Sequence, residues 1–201
     1  DLHLGQRAVE GVVVVEAGDD GLRQRSISKL EISAARIDQI PQVVEADLLR
    51  SLQTLPGIVP VSDYSSAPYI RGGTPDQNLY LVDGTDVYNP EHAFGLFSIF
   101  NTDALKKAEV FKGGFGAQYG GRLSSVLNIT HHDGNKKKVE GTAAISLLSA
   151  RTTLQVPLGG RGSRERGSLS ASFRRTYFDQ TVGRAIEDIP PYYFWDGNLK
   201  A

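Results

Sequence analysis

Glycine pairs punctuate the chain between Pro68 and Asn128, and this feature constrains the fold more than any other. Four short apolar or β-branched runs each stop at a Gly-Gly or Asp-Gly pair. Such pairs at the end of a short run mark sharp turns between strands. The spacing therefore predicts a small sheet whose strands end in tight turns. The four runs begin at Pro68, Leu79, Val110 and Tyr119.

Short helical segments are predicted before the first of these strands. Residues 45–55 place four leucines on one helical face, and Pro56-Gly57 ends that helix. Residues 29–33 alternate as a strand does, and Ser33 is predicted to cap a short turn over 34–39. Strands interleaved with short helices in this order indicate an α+β fold with a mixed sheet of about four strands.

The pattern changes after residues 131–135, a turn-rich linker. Period-2 alternation then predicts four longer strands, at about 138–146, 150–158, 167–178 and 192–201. In the third of these, apolar and polar side chains lie on opposite faces. This alternation is typical of a transmembrane barrel strand, but a soluble antiparallel sheet with one wet face shows it too. The apolar face holds Leu169, Ala171, Phe173 and Tyr177, and the polar face holds Ser168, Ser170, Ser172, Arg174 and Thr176.

The order of the Arg-Gly-Gly, Asp-Gly, Gly-Gly and Gly-Gly-Arg motifs between residues 71 and 122 resembles the plug domain of TonB-dependent outer-membrane receptors. In that family the plug fills the lumen of an antiparallel β-barrel of about 22 strands. The resemblance implies an N-terminal extension over 1–27, a plug over 28–133 and the first barrel strands over 138–201. We therefore expect the 201 residues to be part of a longer receptor in the outer membrane of a Gram-negative cell.

One apolar run precedes the predicted plug. Its β-branched residues favour an extended strand, and an ordinary strand of a preceding domain is one interpretation. The resemblance implies instead a TonB box, which adds as a β-strand to the C-terminal domain of TonB in the periplasm. The run consists of Gly11, Val12, Val13, Val14, Val15, Glu16 and Ala17.

Two arginines stand beside glycine pairs at predicted strand ends, Arg71 and Arg122. They are either solvated surface charges or, as the resemblance implies, partners of acidic residues on the barrel wall. Tyr64, Tyr88 and His92 lie in two loops that the resemblance places on the outward side, where they would contact an imported ligand. The phenylalanines of residues 86–100 are expected to pack beneath that loop.

Other classes of function find little support. The net charge of −1 argues against a nucleic-acid binder, and the absence of cysteine together with only four histidines argues against a zinc site. The Gly-Gly pairs lack the Gly-Lys-Ser/Thr ending of a phosphate loop, and no nucleophile with a matching base is found. We expect no cofactor, no metal and no catalytic residue.

These inferences converge on one function. The chain is predicted to be the plug and barrel start of an active transporter that imports an unidentified ligand, with outer-membrane lipid around the barrel. Plug movement gates this import, and the proton gradient powers it through TonB. The alternatives are an envelope-exposed soluble interaction domain with no transport role and, third, a glycine-loop enzyme. The substrate itself is not readable from these residues.

Overall fold

The computed structural model describes residues 29–40, 45–62, 65–159, 167–177, 179–181 and 192–201. The candidate TonB box and Tyr64 lie outside these ranges. The two α-helices are α1 (Ala34–Gln39) and α2 (Leu48–Leu52). The strands are β1 (Lys29–Ser33), β2 (Ile58–Pro60), β3 (Pro68–Ile70), β4 (Asn78–Val82), β5 (Thr85–Asp86), β6 (Glu91–His92), β7 (Phe97–Ser98), β8 (Leu105–Phe111), β9 (Ser125–His131), β10 (Glu140–Ile145), β11 (Ser149–Leu158), β12 (Gly167–Thr176) and β13 (Trp195–Lys200).

A five-stranded mixed sheet in the order β1-β8-β9-β4-β5 organises the N-terminal part, residues 29–133. Only the β4–β9 pair in it is parallel. The sheet has one strand more than the predicted four, and the Asp83-Gly84 turn leads into its two-residue strand β5. Both turn residues have positive φ, 48° and 84°, as a type I′ hairpin requires. Two of the predicted runs lie outside the sheet: the Pro68 run pairs with β2, and Tyr119 is in no strand. The mixed α+β architecture is thus confirmed with a different strand count.

Helix α2 is shorter than the predicted 45–55 because Asp47 caps it. The Asp47 carboxylate accepts a hydrogen bond from the Arg50 backbone N–H at 3.1 Å, so the helix begins at Leu48. Leu48, Leu49 and Leu52 are fully buried in the main core, as the leucine stripe predicted. Helix α1 follows Ser33 as expected, but the Ser33 side chain makes no capping hydrogen bond, so that detail of the prediction is wrong.

The core of the N-terminal part lies between the five-stranded sheet and these helices. Phe97 and Phe100 are also buried, as expected for residues beneath the 86–100 loop. Two short antiparallel pairs, β2–β3 and β6–β7, are separate from the five-stranded sheet. The core cluster comprises Ile32, Ile37, Leu48, Leu49, Leu52, Ile58, Ile70, Tyr80, Phe100, Leu105, Ala108, Val110, Leu127 and Ile129.

Strands β10 to β13 form a separate antiparallel sheet in sequence order. All four begin and end within a few residues of the predicted bounds, since each was marked by local alternation. The linker before it passes close to β12: a Cβ added to Gly134, whose φ is 88°, would lie 2.8 Å from the Leu169 carbonyl oxygen. No helix in the described part of the chain is long and apolar enough to cross a membrane.

Candidate functional site

The contact between the four-stranded sheet and the N-terminal part is made by polar side chains. On β12 the residues of one face are at most 7% exposed, whereas Phe173 on the other face is 46% exposed. Strand alternation puts successive residues on opposite faces, so β12 turns its polar side inward and its apolar side outward. The inward residues are Ser168, Ser170, Ser172, Arg174 and Thr176.

The neighbouring strands carry the same inside-out pattern. Register pairs Leu154 with Ala171 and Thr153 with Ser172, so each face continues from β11 to β12. Most soluble sheets bury the apolar face and wet the polar one. Here the outward face exposes large apolar side chains on all four strands: Ile145, Leu154, Leu158, Phe173, Trp195 and Leu199.

Arg174 is the most deeply buried of the basic side chains at this contact. Its side chain is 2% exposed and lies between Glu45 of the N-terminal part and Asp196 of β13. The guanidinium donates from Nη1 to Glu45 at 3.0 Å, and from Nε and Nη2 to Asp196 at 2.8 and 2.6 Å. It also stacks over the Phe194 ring at 5.2 Å. Carboxylates therefore bind two edges of this cation, and the Phe194 ring covers one of its faces.

Arg174 also reaches helix α2 through one intermediate residue. Its Nη2 donates to the Ser98 carbonyl at 2.5 Å, and the Ser98 N–H donates to Asp47 at 2.7 Å. Asp47 is the N-cap of α2, so a continuous chain of hydrogen bonds joins β12 to that helix. Glu45 adds a second link, since its carboxylate accepts from the Ser149 hydroxyl of β11.

His92, predicted to face a ligand, lies against the four-stranded sheet. Its Nε2 is 2.6 Å from the Asp196 carboxylate, and its ring stacks on Phe194 at 4.1 Å. The next residue, Ala93, donates its N–H to the Tyr192 hydroxyl at 3.1 Å. The β6–β7 hairpin is thus tied to the start of β13. Tyr88 is 91% exposed, and its role toward a ligand stays a prediction.

A second ion pair joins β11 to the turn before β8. Arg151 Nε lies 2.9 Å from Asp103, and Arg151 Nη1 donates to the Thr102 hydroxyl at 3.2 Å. Both charged side chains are mostly buried, at 18% and 16% exposure. This pair holds the one-turn helix over Thr102–Ala104 against the sheet.

Lys200 makes the third contact, near the end of β13. Its ammonium lies 2.8 Å from Asp83 and 2.9 Å from Asp133, and it donates to the His131 carbonyl at 3.1 Å. Burial by itself raises the pKa of Asp83, but hydrogen bonds from Lys200 and from the His131 N–H outweigh it, and the net pKa is lowered. Hydrogen bonds from Lys106 and Lys200 lower the pKa of Asp133 to about 2.

His131 makes this contact sensitive to mild acid. Burial lowers its pKa below 6.5, against the opposing attraction of Asp83 at 3.0 Å. A buried histidine with a lowered pKa binds fewer protons than the unfolded chain, so stability falls as the pH drops below 6.5. The lowered pKa values of Asp83 and Asp133 act in the same direction at lower pH, from 3.8 downward.

We therefore expect the thermal unfolding midpoint of the protein to decrease as the pH is lowered from 7.5 to 5.5. The free energy of unfolding should decrease by at most about 1.4 kcal/mol per pH unit for each titrating histidine. His131→Gln should reduce that slope, because glutamine does not titrate. Burial also lowers the pKa of His132, so His132→Gln should reduce the slope too, and the comparison of the two variants separates the two contributions. Calorimetric scans between pH 7.5 and 5.5 measure this pH dependence. An unchanged slope in His131→Gln would contradict the role given to His131.

The three contacts share one polarity. In the pairs Arg174–Glu45, Arg151–Asp103 and Lys200–Asp83 the base belongs to the four-stranded sheet and the acid to the N-terminal part. Asp196 is an additional acid on the sheet side of the Arg174 contact. The polarity of the three pairs is the reverse of that expected for Arg71 and Arg122. Arg71 is an exposed residue with a φ of 49° in the turn after β3, and Arg122 donates to the Gly121 carbonyl. Their pairing with a barrel wall stays a prediction.

Sequence reasoning did not single out Arg174, Glu45, Arg151 or Lys200 as site residues. One signal was available: Arg174 is the only charge on a face of serines and threonine, which is an unusual place for a solvated arginine. Their acidic partners carried no comparable signal. No cluster of acidic, histidine or cysteine side chains suited to a metal ion occurs in the described ranges.

The fold and this interface define a small mixed-sheet domain seated against the polar face of an antiparallel sheet. A sequence profile of the TonB-dependent receptor plug domain matches residues 21–125. The chain belongs to this family. It is therefore assigned to receptors and not to enzymes.

Solved receptor structures show the same fold. The siderophore receptor PirA from Pseudomonas aeruginosa superposes with a TM-score of 0.51 at 21% identity, over 76% of this chain and 28% of that receptor. The ferric-catecholate import receptor Fiu from E. coli K12, in its open form, gives a TM-score of 0.50 at 23% identity, over 74% of this chain and 21% of that receptor. The chain thus spans less than a third of either receptor. A search of curated protein sequences gave no match.

Proposed function

We propose that residues 29–133 are the plug, and β10 to β13 the first barrel strands, of a transporter that imports a ligand across the Gram-negative outer membrane. The inside-out four-stranded sheet is the observation that carries this proposal. An apolar outer face fits lipid hydrocarbon, and a polar inner face fits the lumen of a large barrel. A closed barrel of about 22 strands would also satisfy the open sheet edges, which lipid does not tolerate.

Transport in this proposal is a movement of the plug and involves no covalent chemistry. Ligand binds on the outward loops, where Tyr64, Tyr88 and His92 are our candidate contacts. The segment 11–17 then serves as the TonB box and pairs with the C-terminal domain of TonB in the periplasm. Force from the proton gradient displaces the plug. Such a gate needs two conformations whose equilibrium is shifted by both the ligand and TonB. The polar contacts across the interface suit this role because they can be broken and formed again.

The chemistry of the ligand is open. The two similar structures are of a siderophore receptor and a ferric-catecholate import receptor, so iron chelates are the first ligands to test. Identity below 25% does not carry their ligands over to this chain. An envelope-exposed interaction domain without transport remains the rival function.

Membrane fractionation of the native source tests the proposal. An antibody raised against residues 86–100 should detect a band in the outer membrane, several times larger than 21.8 kDa and shifted by heating before electrophoresis. Heat modifiability reports a folded barrel. A soluble band near 21.8 kDa would mean that these strands form a complete small protein, which contradicts the transporter assignment.

Arg71→Ala gives a prediction about how the plug is held. If Arg71 pairs with acidic residues of the barrel wall, its loss should loosen the plug without unfolding the barrel. We expect increased passive entry of a large antibiotic and faster proteolysis of the plug in intact outer membranes. Lys137→Ala, which removes an exposed cation from the linker, is the matched control. Equal leak in both variants would leave Arg71 as a surface charge.

A further inference from the structure

The Arg174 contact differs from the other two cross-sheet contacts in having an acid on each side. Glu45 belongs to the proposed plug and Asp196 to the proposed wall. Asp196 takes two of the hydrogen bonds, from Nε and Nη2, whereas Glu45 takes one, from Nη1. On the plug side the Ser98 carbonyl accepts one more, from Nη2, so the guanidinium donates two hydrogen bonds to each side. The difference lies in what stays with it when the plug moves: the Asp196 carboxylate and the Phe194 ring belong to its own side.

This asymmetry determines what remains when the two parts separate. Removing one partner from a buried ion pair usually strands an uncompensated charge, and that is the main cost of breaking it. Here the departing Glu45 would leave Arg174 paired with Asp196 and covered by Phe194. Glu45 itself, buried to 4% exposure in the closed form, would regain water. Two carboxylates on one guanidinium also repel each other, and that repulsion ends on separation.

We propose that Arg174 is a releasable latch: Glu45 fastens the plug to it, and Asp196 lets the plug leave without stranding the cation. The assignment rests on the proposed plug-and-wall function and deepens it, because it names the wall residue that resists plug movement and the one that permits it. Through Ser98 and Asp47 the latch acts on helix α2, which makes α2 the segment where its opening is measured.

The latch predicts opposite effects for two substitutions that each replace an acid by its amide. Glu45→Gln removes the charge that fastens the plug, so opening becomes easier. Asp196→Asn removes the charge that compensates Arg174 after release, so opening becomes harder. A site with only a structural role would loosen in both variants, since each loses a buried charge-assisted hydrogen bond.

Hydrogen–deuterium exchange of the purified intact receptor measures this opening. We expect the amides of residues 48–52 to exchange about tenfold faster in Glu45→Gln and several-fold slower in Asp196→Asn. Asp103→Asn is the matched control, because it removes an interface acid paired with Arg151, away from α2. Asp196 also contacts His92, so His92→Gln shows how much of the change in Asp196→Asn comes from the loss of that contact.

Exchange changes of the same sign in Glu45→Gln and Asp196→Asn would overturn the latch, as would no change in either. Glu45→Asp is a milder variant that keeps the charge but shortens its reach. It should also speed exchange, and an unaltered rate there would overturn the latch even if Glu45→Gln failed to fold. The exchange readout needs no transport. An inactive transporter with opposite exchange shifts would refute the proposed function and leave the latch standing.

Discussion

Leu154→Arg should remove the receptor from the outer membrane. Leu154 lies near the middle of the ten-residue strand β11, faces outward and pairs across the sheet with Ala171. If that face contacts lipid, a cation near the midplane costs about 2–4 kcal/mol, which is a large part of the stability of a typical domain. We expect the folded, heat-modifiable band to fall at least about tenfold relative to the parent receptor.

Leu123→Arg provides the control for this experiment. Leu123 is 83% exposed and belongs to the proposed plug, so arginine there remains in water. Surface substitutions of this kind usually change stability by no more than about 0.5 kcal/mol. If the four-stranded sheet were a soluble sheet with an exposed apolar face, the two variants would fold to equal amounts, whichever cell fraction they reached. Equal folded amounts of the two would contradict the barrel assignment.

The contrast between these two leucines shows what local sequence pattern conveys. Apolar and polar residues alternate along β11 and β12, and this local pattern predicted both the strand bounds and which residues share a face. Alternation alone leaves open which face is buried, because a soluble sheet and a barrel wall show the same pattern. Burial of Ser170 and Ser172 against the N-terminal part shows that the polar face is the covered one, which is the arrangement that the proposed barrel wall requires.

Long-range pairing was not predictable from the chain in the same way. Arg174 and Glu45 are separated by 129 positions, and nothing in the sequence around Glu45 marks it as the partner of a buried arginine. The edge position of β1 beside β8 has the same origin, since backbone hydrogen bonds between strands carry no side-chain signature. His92 was placed by sequence in an outward aromatic loop, and its stacking on Phe194 depends on a strand about a hundred residues later.

Features that depend on neighbouring residues could thus be predicted from the sequence, and contacts between distant residues could not. Asp83-Gly84 acts within a few residues and predicted its turn. The Asp47 cap is equally local, but the helix was predicted from its leucines alone, so its start was placed at residue 45 instead of at Leu48. Which side of the interface supplies the base of each ion pair depends on how the two sheets pack, and neighbouring residues do not show this. For this reason Arg71 and Arg122 were chosen from their Arg-Gly-Gly and Gly-Gly-Arg motifs. The cross-sheet ion pairs that the structure describes are made by Arg151, Arg174 and Lys200.

Deleting residues 11–17 from the intact receptor should abolish uptake while leaving ligand binding at the cell surface unchanged. The segment lies before β1, which begins at Lys29, so its deletion removes the proposed binding segment for TonB and leaves the core residues of the plug in place. β-Strand addition depends on main-chain hydrogen bonds, which means that affinity requires a free extended segment more than particular side chains. Without that connection no force reaches the plug, and its polar contacts with the wall hold.

Two controls sharpen this experiment. A Val13→Pro receptor keeps the length of the chain but removes one backbone donor and restricts the extended pairing, so uptake should fall strongly. Val13→Thr keeps the β-branched shape and all backbone donors, so uptake should be retained. Cells are loaded with a radiolabelled iron chelate shown beforehand to bind, and surface-bound and internal label are separated. Undiminished uptake after the deletion would remove the TonB-box assignment, because a force applied through another segment would then be driving the plug.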